Sequence, residues 1–84
     1  MQGWIAAARE TGGGLSRLVL SGREQLIVEG HSGLFSYETK CIRIRTRDGL
    51  ITVSGKDLII EYFGLQDLMI RGQVEAIGLS REEG

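Results

Sequence analysis

The sequence has no proline, a single cysteine, a single histidine and no long run of apolar residues. Because proline is missing, no strand loses a backbone hydrogen-bond donor to an imide ring. The single cysteine, Cys41, excludes an internal disulfide framework and fits a reducing compartment. The N-terminal stretch MQGWIAAARETGGG lacks the basic start and long apolar run that a signal peptide or a membrane span needs. We therefore expect a cytoplasmic protein with no direct membrane span.

An excess of charge of one sign is also missing. Ten Lys and Arg residues nearly balance eleven Asp and Glu residues, so the net charge is -1. Such a chain has no overall field that recruits nucleic acid or an anionic membrane. Its 84 residues, 42% of them apolar, predict one small folded domain with a thin core, because folding at this size hides only roughly 60% of the chain's surface.

What the sequence does have is a five-residue unit that occurs four times: an apolar residue, a spacer, an apolar residue, a polar residue and a glycine. The copies are LVLSG (18–22), LIVEG (26–30), ITVSG (51–55) and LMIRG (68–72). Apolar residues two apart share one face of a strand and glycine favours turns, so each copy predicts a strand followed by a turn.

Further short segments lie between and after these copies, namely LFSYE (34–38), CIRIRT (41–46), LIIEYF (58–63) and QVEAIGL (73–79). About eight short strands are typical of a small antiparallel β-sandwich, with a β-barrel or a short β-solenoid as alternatives. Asp48-Gly49 predicts a two-residue hairpin. We divide the chain into a helical or disordered N-terminal segment with a glycine-rich joint (1–14), a β domain (15–79) and a disordered tail (80–84).

The alternation of the strands predicts twelve inward-facing residues. They are Leu18, Leu20, Leu26, Val28, Ile42, Ile44, Ile51, Val53, Leu58, Ile60, Leu68 and Ile70. Five further apolar residues fall on the outward parity, namely Val19, Ile27, Ile59, Phe63 and Met69. They predict an interaction surface for a partner or a second copy. Two alternatives remain: residues 1–10 cover them, or bulges shift the parity.

The segment Gly30-His31-Ser32-Gly33 raises the question of catalysis. A nucleophile elbow needs Gly-x-Ser-x-Gly, and Leu34 stands where the second glycine belongs. We therefore predict a turn between two strands, with the two polar side chains reaching solvent, and no catalytic residues. His31 and Cys41 are too few soft ligands for a zinc site in one chain, so neither a metal nor another cofactor is predicted.

Three arginines two residues apart, Arg43, Arg45 and Arg47, predict a basic row on one strand face. Such a row suits phosphates, so the chain could instead be a small ligand-binding or nucleic-acid-binding β-barrel. The five aromatic residues are not interleaved with the arginines, and glutamates are available as cross-strand partners. We expect the row to serve solubility and expect no nucleic acid.

Four stretches of the sequence together resemble a known protein family. LVLSG, LIVEGHSGLFSYE, IRIRTRDGLITVSGKDLIIEY and LMIRGQVEAIGL, in that order over residues 15–79, resemble the YabP/YqfC family of sporulation proteins, and the YqfC branch more closely. The resemblance implies a small β-sandwich protein of the mother cell of an endospore-forming bacterium. It also implies a non-enzymatic role in assembly at the forespore surface, beside a membrane protein. Catalytic residues are not part of what it implies, and self-association stays open.

Overall fold

The computed structural model describes residues 17–47 and 49–80. The predictions for the segment 1–14, for Asp48 and for the tail beyond Ser80 lie outside the described residues. Six strands form one antiparallel sheet: β1 (Arg17–Ser21), β2 (Gln25–Glu29), β3 (His31–Glu38), β4 (Cys41–Thr46), β5 (Gly49–Phe63) and β6 (Asp67–Ser80). Their order across the sheet is β1-β2-β6-β5-β4-β3. The prediction of an all-β, antiparallel fold is confirmed.

The strand count differs from the prediction of about eight. ITVSG and LIIEYF are parts of one strand of 15 residues, β5, and LMIRG and QVEAIGL are parts of one strand of 14 residues, β6. The glycines that predicted turns, Gly55 and Gly72, lie where the pairing of these strands becomes irregular. Each permits a close backbone approach, since a Cβ on Gly55 would overlap the Gln73 carbonyl oxygen. Here glycine bends a strand without ending it.

The bend folds the sheet into two layers. The first part of β5 pairs with β4 and with the end of β6, whereas residues 59–63 pair with the start of β6, which also pairs with β2. Leu26 of β2 and Ile44 of β4, which lie in strands that are not neighbours in the sheet, are both fully buried in one apolar cluster. The layers therefore pack face to face. Among the described residues the sheet has two edge strands, β1 and β3, so these six strands do not form a closed barrel.

The buried residues of the core agree with those that the alternation of apolar residues predicts to face inward. Nine of the twelve residues predicted to face inward are buried, and Leu18, Leu20 and Ile60 pack against them while partly exposed. Val74, on the second half of β6, is also buried. Burying each large apolar side chain contributes roughly 1.5–3 kcal/mol, so this cluster is the main source of stability.

Candidate interaction surfaces

His31 is a buried residue at the first position of β3. Its Nδ1 accepts a hydrogen bond of 2.9 Å from the Gly33 amide, so the ring proton must be on Nε2. Nε2 lies 3.1 Å from the Gly64 carbonyl oxygen and donates to it. The ring also stacks on Phe63, with 5.1 Å between the ring centres. His31 therefore connects the start of β3 to the end of β5 and the connection that follows it.

The expected turn at residues 30–33 is shorter than predicted. Gly30 alone makes the bend, with a φ of 90°, and His31, Ser32 and Gly33 belong to β3. The prediction that the His31 side chain reaches solvent is wrong, because the connection between β5 and β6 packs over it. The amides of Gly30 and His31 both donate to the Gln66 carbonyl, at 2.7 Å and 3.1 Å. Alternation along β3 contains no signal of this contact, which joins segments more than thirty residues apart.

Ser32 is exposed, and its Oγ donates to the Arg45 carbonyl oxygen at 3.4 Å. In the described part of the chain, no three His, Cys, Asp or Glu side chains are grouped in a way that could hold a metal ion. Over the same residues, no helix has the length and apolar character needed to cross a membrane.

The predicted basic row is shorter than expected. Arg43 and Arg45 point outward from β4, but β4 ends at Thr46 and Arg47 lies in the following turn. The Arg45 guanidinium lies 5.2 Å from the centre of the Phe35 ring. Arg43 is exposed and lies opposite Ser36 of β3 and Thr52 of β5.

The outward face of the other layer has an apolar stripe that crosses four strands. Val19 of β1 lies opposite Ile27 of β2, Ile27 opposite Met69 of β6, and Met69 opposite Tyr62 of β5. We call these four residues the apolar stripe. Three of its side chains are half-buried and Tyr62 is 54% exposed. Ile59, in the adjacent row, is 46% exposed.

Ion pairs border the apolar stripe on both sides. Arg17 and Glu29 are 3.5 Å apart at one border. Arg71 and Glu61 are 3.2 Å apart at the other, so Glu61 is not a partner for the arginines of β4. The stripe therefore has one ion pair on each side, between β1 and β2 on one side and between β5 and β6 on the other.

The structure places four of the five residues predicted for this surface on one face and separates the fifth from them. An irregularity between Ile60 and Tyr62 adds one residue to β5, so that Tyr62 takes the outward place opposite Met69. Phe63 lies opposite the buried Leu68 and stacks on His31. Because strict alternation does not account for this extra residue, it wrongly placed Phe63 in the predicted surface and left out Tyr62. A bulge leaves no signal in the order of apolar residues.

Comparison with known proteins identifies a family and a relative that are similar to this chain in sequence. A model of the YabP family matches residues 13–84, a span that includes every described residue. The chain is also 24% identical over 81 residues to the uncharacterized protein YqfC of Bacillus subtilis (strain 168), and the alignment covers 92% of this chain and 87% of that protein. No solved structure matches the chain.

Proposed function

The chain belongs to the YabP family, and on that premise we propose that it is a non-catalytic sporulation protein. It acts as an assembly or scaffold module in the mother cell, at the forespore surface, with a membrane protein as its partner. The sequence resemblance to the YabP and YqfC proteins supports this setting. The observation that supports a binding role is the apolar stripe.

The apolar stripe has the layout of a small protein-binding site. Covering apolar surface is favourable by roughly 25 cal/mol per Å², and charges around an apolar centre resemble the polar rim of an interface. The matching partner is a segment outside the bilayer that presents a line of apolar side chains with charges on either side. The charged residues at the two borders then set the position of the partner segment along the stripe. They are Arg17 and Glu29 at one border and Arg71 and Glu61 at the other.

The surroundings of His31 and Ser32 support a role without catalysis. In a serine hydrolase the imidazole takes the proton of the serine hydroxyl, so the two groups must be hydrogen-bonded. Here both ring nitrogens of His31 are bonded to backbone groups, and the Ser32 hydroxyl donates to the Arg45 carbonyl. These contacts hold the fold together.

The apolar stripe is tested by localisation in a sporulating host. A fluorescent fusion of the unmodified chain is expected at the forespore surface only when the proposed partner, a membrane protein encoded nearby, is present. Tyr62→Lys places a charge at the exposed end of the stripe and is expected to make the signal diffuse. Leu65→Lys is the matched control, because Leu65 is 93% exposed in the connection that follows β5 and lies off the stripe.

Two results would contradict the proposal. One is a diffuse signal of the unmodified fusion regardless of the membrane protein. The other is recruitment of Tyr62→Lys and Leu65→Lys to the same extent. Thermal unfolding of both purified variants shows whether each is folded, so a loss of recruitment can be assigned to the surface.

A second candidate function is binding of a small anionic ligand or of nucleic acid at β4. The observation in its favour is that Arg43 lies between the hydroxyl-bearing residues Ser36 and Thr52, a combination of donors that suits phosphate oxygens. We expect no shift of a labelled single-stranded oligonucleotide at low salt. A shift that disappears in Arg43→Ala, but not in the matched control Arg23→Ala, would favour this second function.

A further inference from the structure

The two edges of the sheet are built differently. An edge strand presents unpaired backbone groups to which another strand can bind, and natural proteins often blunt such edges with bulges, charges or proline. β3 is blunted, because its pairing with β4 shifts register twice and Gly33 has a φ of 134°. β1 pairs with β2 at all five positions without any irregularity. Within the described residues, β1 is therefore the regular edge.

The side chains of β1 also lack the usual protection. Leu18, Val19 and Leu20, at its centre, are all half-buried. The strand contains no lysine and no proline, and its one charge, Arg17, is at the end and paired with Glu29. A regular edge with an apolar centre favours addition of a further strand.

We propose that β1 pairs in antiparallel fashion with β1 of a second copy of this chain, about a two-fold axis at Val19. In this register Val19 faces Val19, Leu18 faces Leu20, and Arg17 faces Ser21, so no like charges meet. All five residues pair, and residues of the same face meet each other. A shift by one residue would place inward residues opposite outward ones, and a shift by two would leave three pairs.

The pairing would join the two copies' apolar stripes into one. Tyr62, Met69, Ile27 and Val19 of one copy would be followed by Val19, Ile27, Met69 and Tyr62 of the second, across eight strands. A two-fold axis requires the interface to be complementary to itself, which the sequence of β1 allows. This pairing goes beyond the proposed function and does not depend on the membrane partner.

The test is a concentration series of the full chain by analytical ultracentrifugation. The unmodified chain is expected to shift from monomer to dimer as its concentration rises. Val19→Lys would set two lysines opposite each other and remove an apolar contact, so we expect the dimer association constant to fall by roughly tenfold or more. Ile27→Lys is the matched control, because it places the same charge in the same stripe one strand away from the edge.

A mixing experiment makes the test independent of folding defects. Val19→Glu alone is expected to be as weak a dimer as Val19→Lys, whereas an equal mixture of the two is expected to recover association through opposite charges at the axis. A protein that fails to fold would not recover. Recovery of association in the mixture would show directly that Val19 of one copy lies opposite Val19 of the other.

Two outcomes would overturn the pairing. The first is an unmodified chain that stays monomeric over the whole series. The second is a dimer that Ile27→Lys weakens as much as Val19→Lys, with no recovery on mixing, which would indicate contact through the face of the sheet. A monomeric chain that the membrane protein still recruits would overturn the edge pairing and leave the proposed function standing.

Discussion

At the scale of the residue, the single side chain of His31 connects the start of β3 to the end of β5 and to the connection that follows it. Its ring accepts from Gly33, donates to Gly64 and lies against Phe63, so both of its polar atoms are bonded while it is buried. Buried polar groups are stabilising only when they are bonded in this way. Removing the ring would leave two backbone groups without partners at the end of the core.

We expect His31→Ala to lower the free energy of unfolding by about 2–4 kcal/mol, measured by urea denaturation. His31→Gln is expected to lose less, because a glutamine amide can still donate to the Gly64 carbonyl. Ser32→Ala is the control and should stay within about 0.5 kcal/mol, since its exposed hydroxyl makes one long hydrogen bond. An unchanged stability of His31→Ala together with a loss of recruitment would instead indicate a functional role for the histidine.

At the scale of the element, the two long strands β5 and β6 depend on glycine where they bend. Gly55 faces the backbone of Gln73 with no room for a side chain, and a Cβ on Gly72 would come within 2.5 Å of the Asp57 carbonyl oxygen. Both positions lie where the pairing of β5 with β6 shifts register, and both strands continue beyond that point from one layer to the other. The bend therefore depends on the backbone, because only residues without a Cβ atom allow the close approach at Gly55 and Gly72.

Gly55→Ala is expected to destabilise the protein by about 1–3 kcal/mol or more, because the added methyl group overlaps backbone that cannot move independently. Gly78→Ala is the matched control. Gly78 lies in β6 with no atom within 4 Å of an added Cβ. There alanine should be neutral or stabilise by up to about 1 kcal/mol, because it restricts the unfolded chain. Equal effects of the two changes on the thermal unfolding midpoint would contradict the close approach at Gly55.

At the scale of the whole molecule, alternation along each strand was enough to predict the fold class and most of the core. Val28 and Ile44, for example, face inward as their spacing indicates. Alternation does not contain the pairing order, because it assigns a residue to a face and not to a partner strand. It also fails wherever a bulge adds a residue, as at Tyr62, or where a distant segment covers a polar side chain, as at His31.

The sheet order has a consequence for the way the chain folds during its synthesis. β6 is the last of the six strands to be made and lies in the middle of the sheet, between β2 and β5. The β1–β2 hairpin therefore has no neighbour until residues such as Ile70, the partner of Leu26, have been added. Contacts this distant in sequence form slowly. Until β6 has been made, β2 lacks one of its two partner strands, so we expect the sheet to be completed only after the last of the six strands has been synthesised.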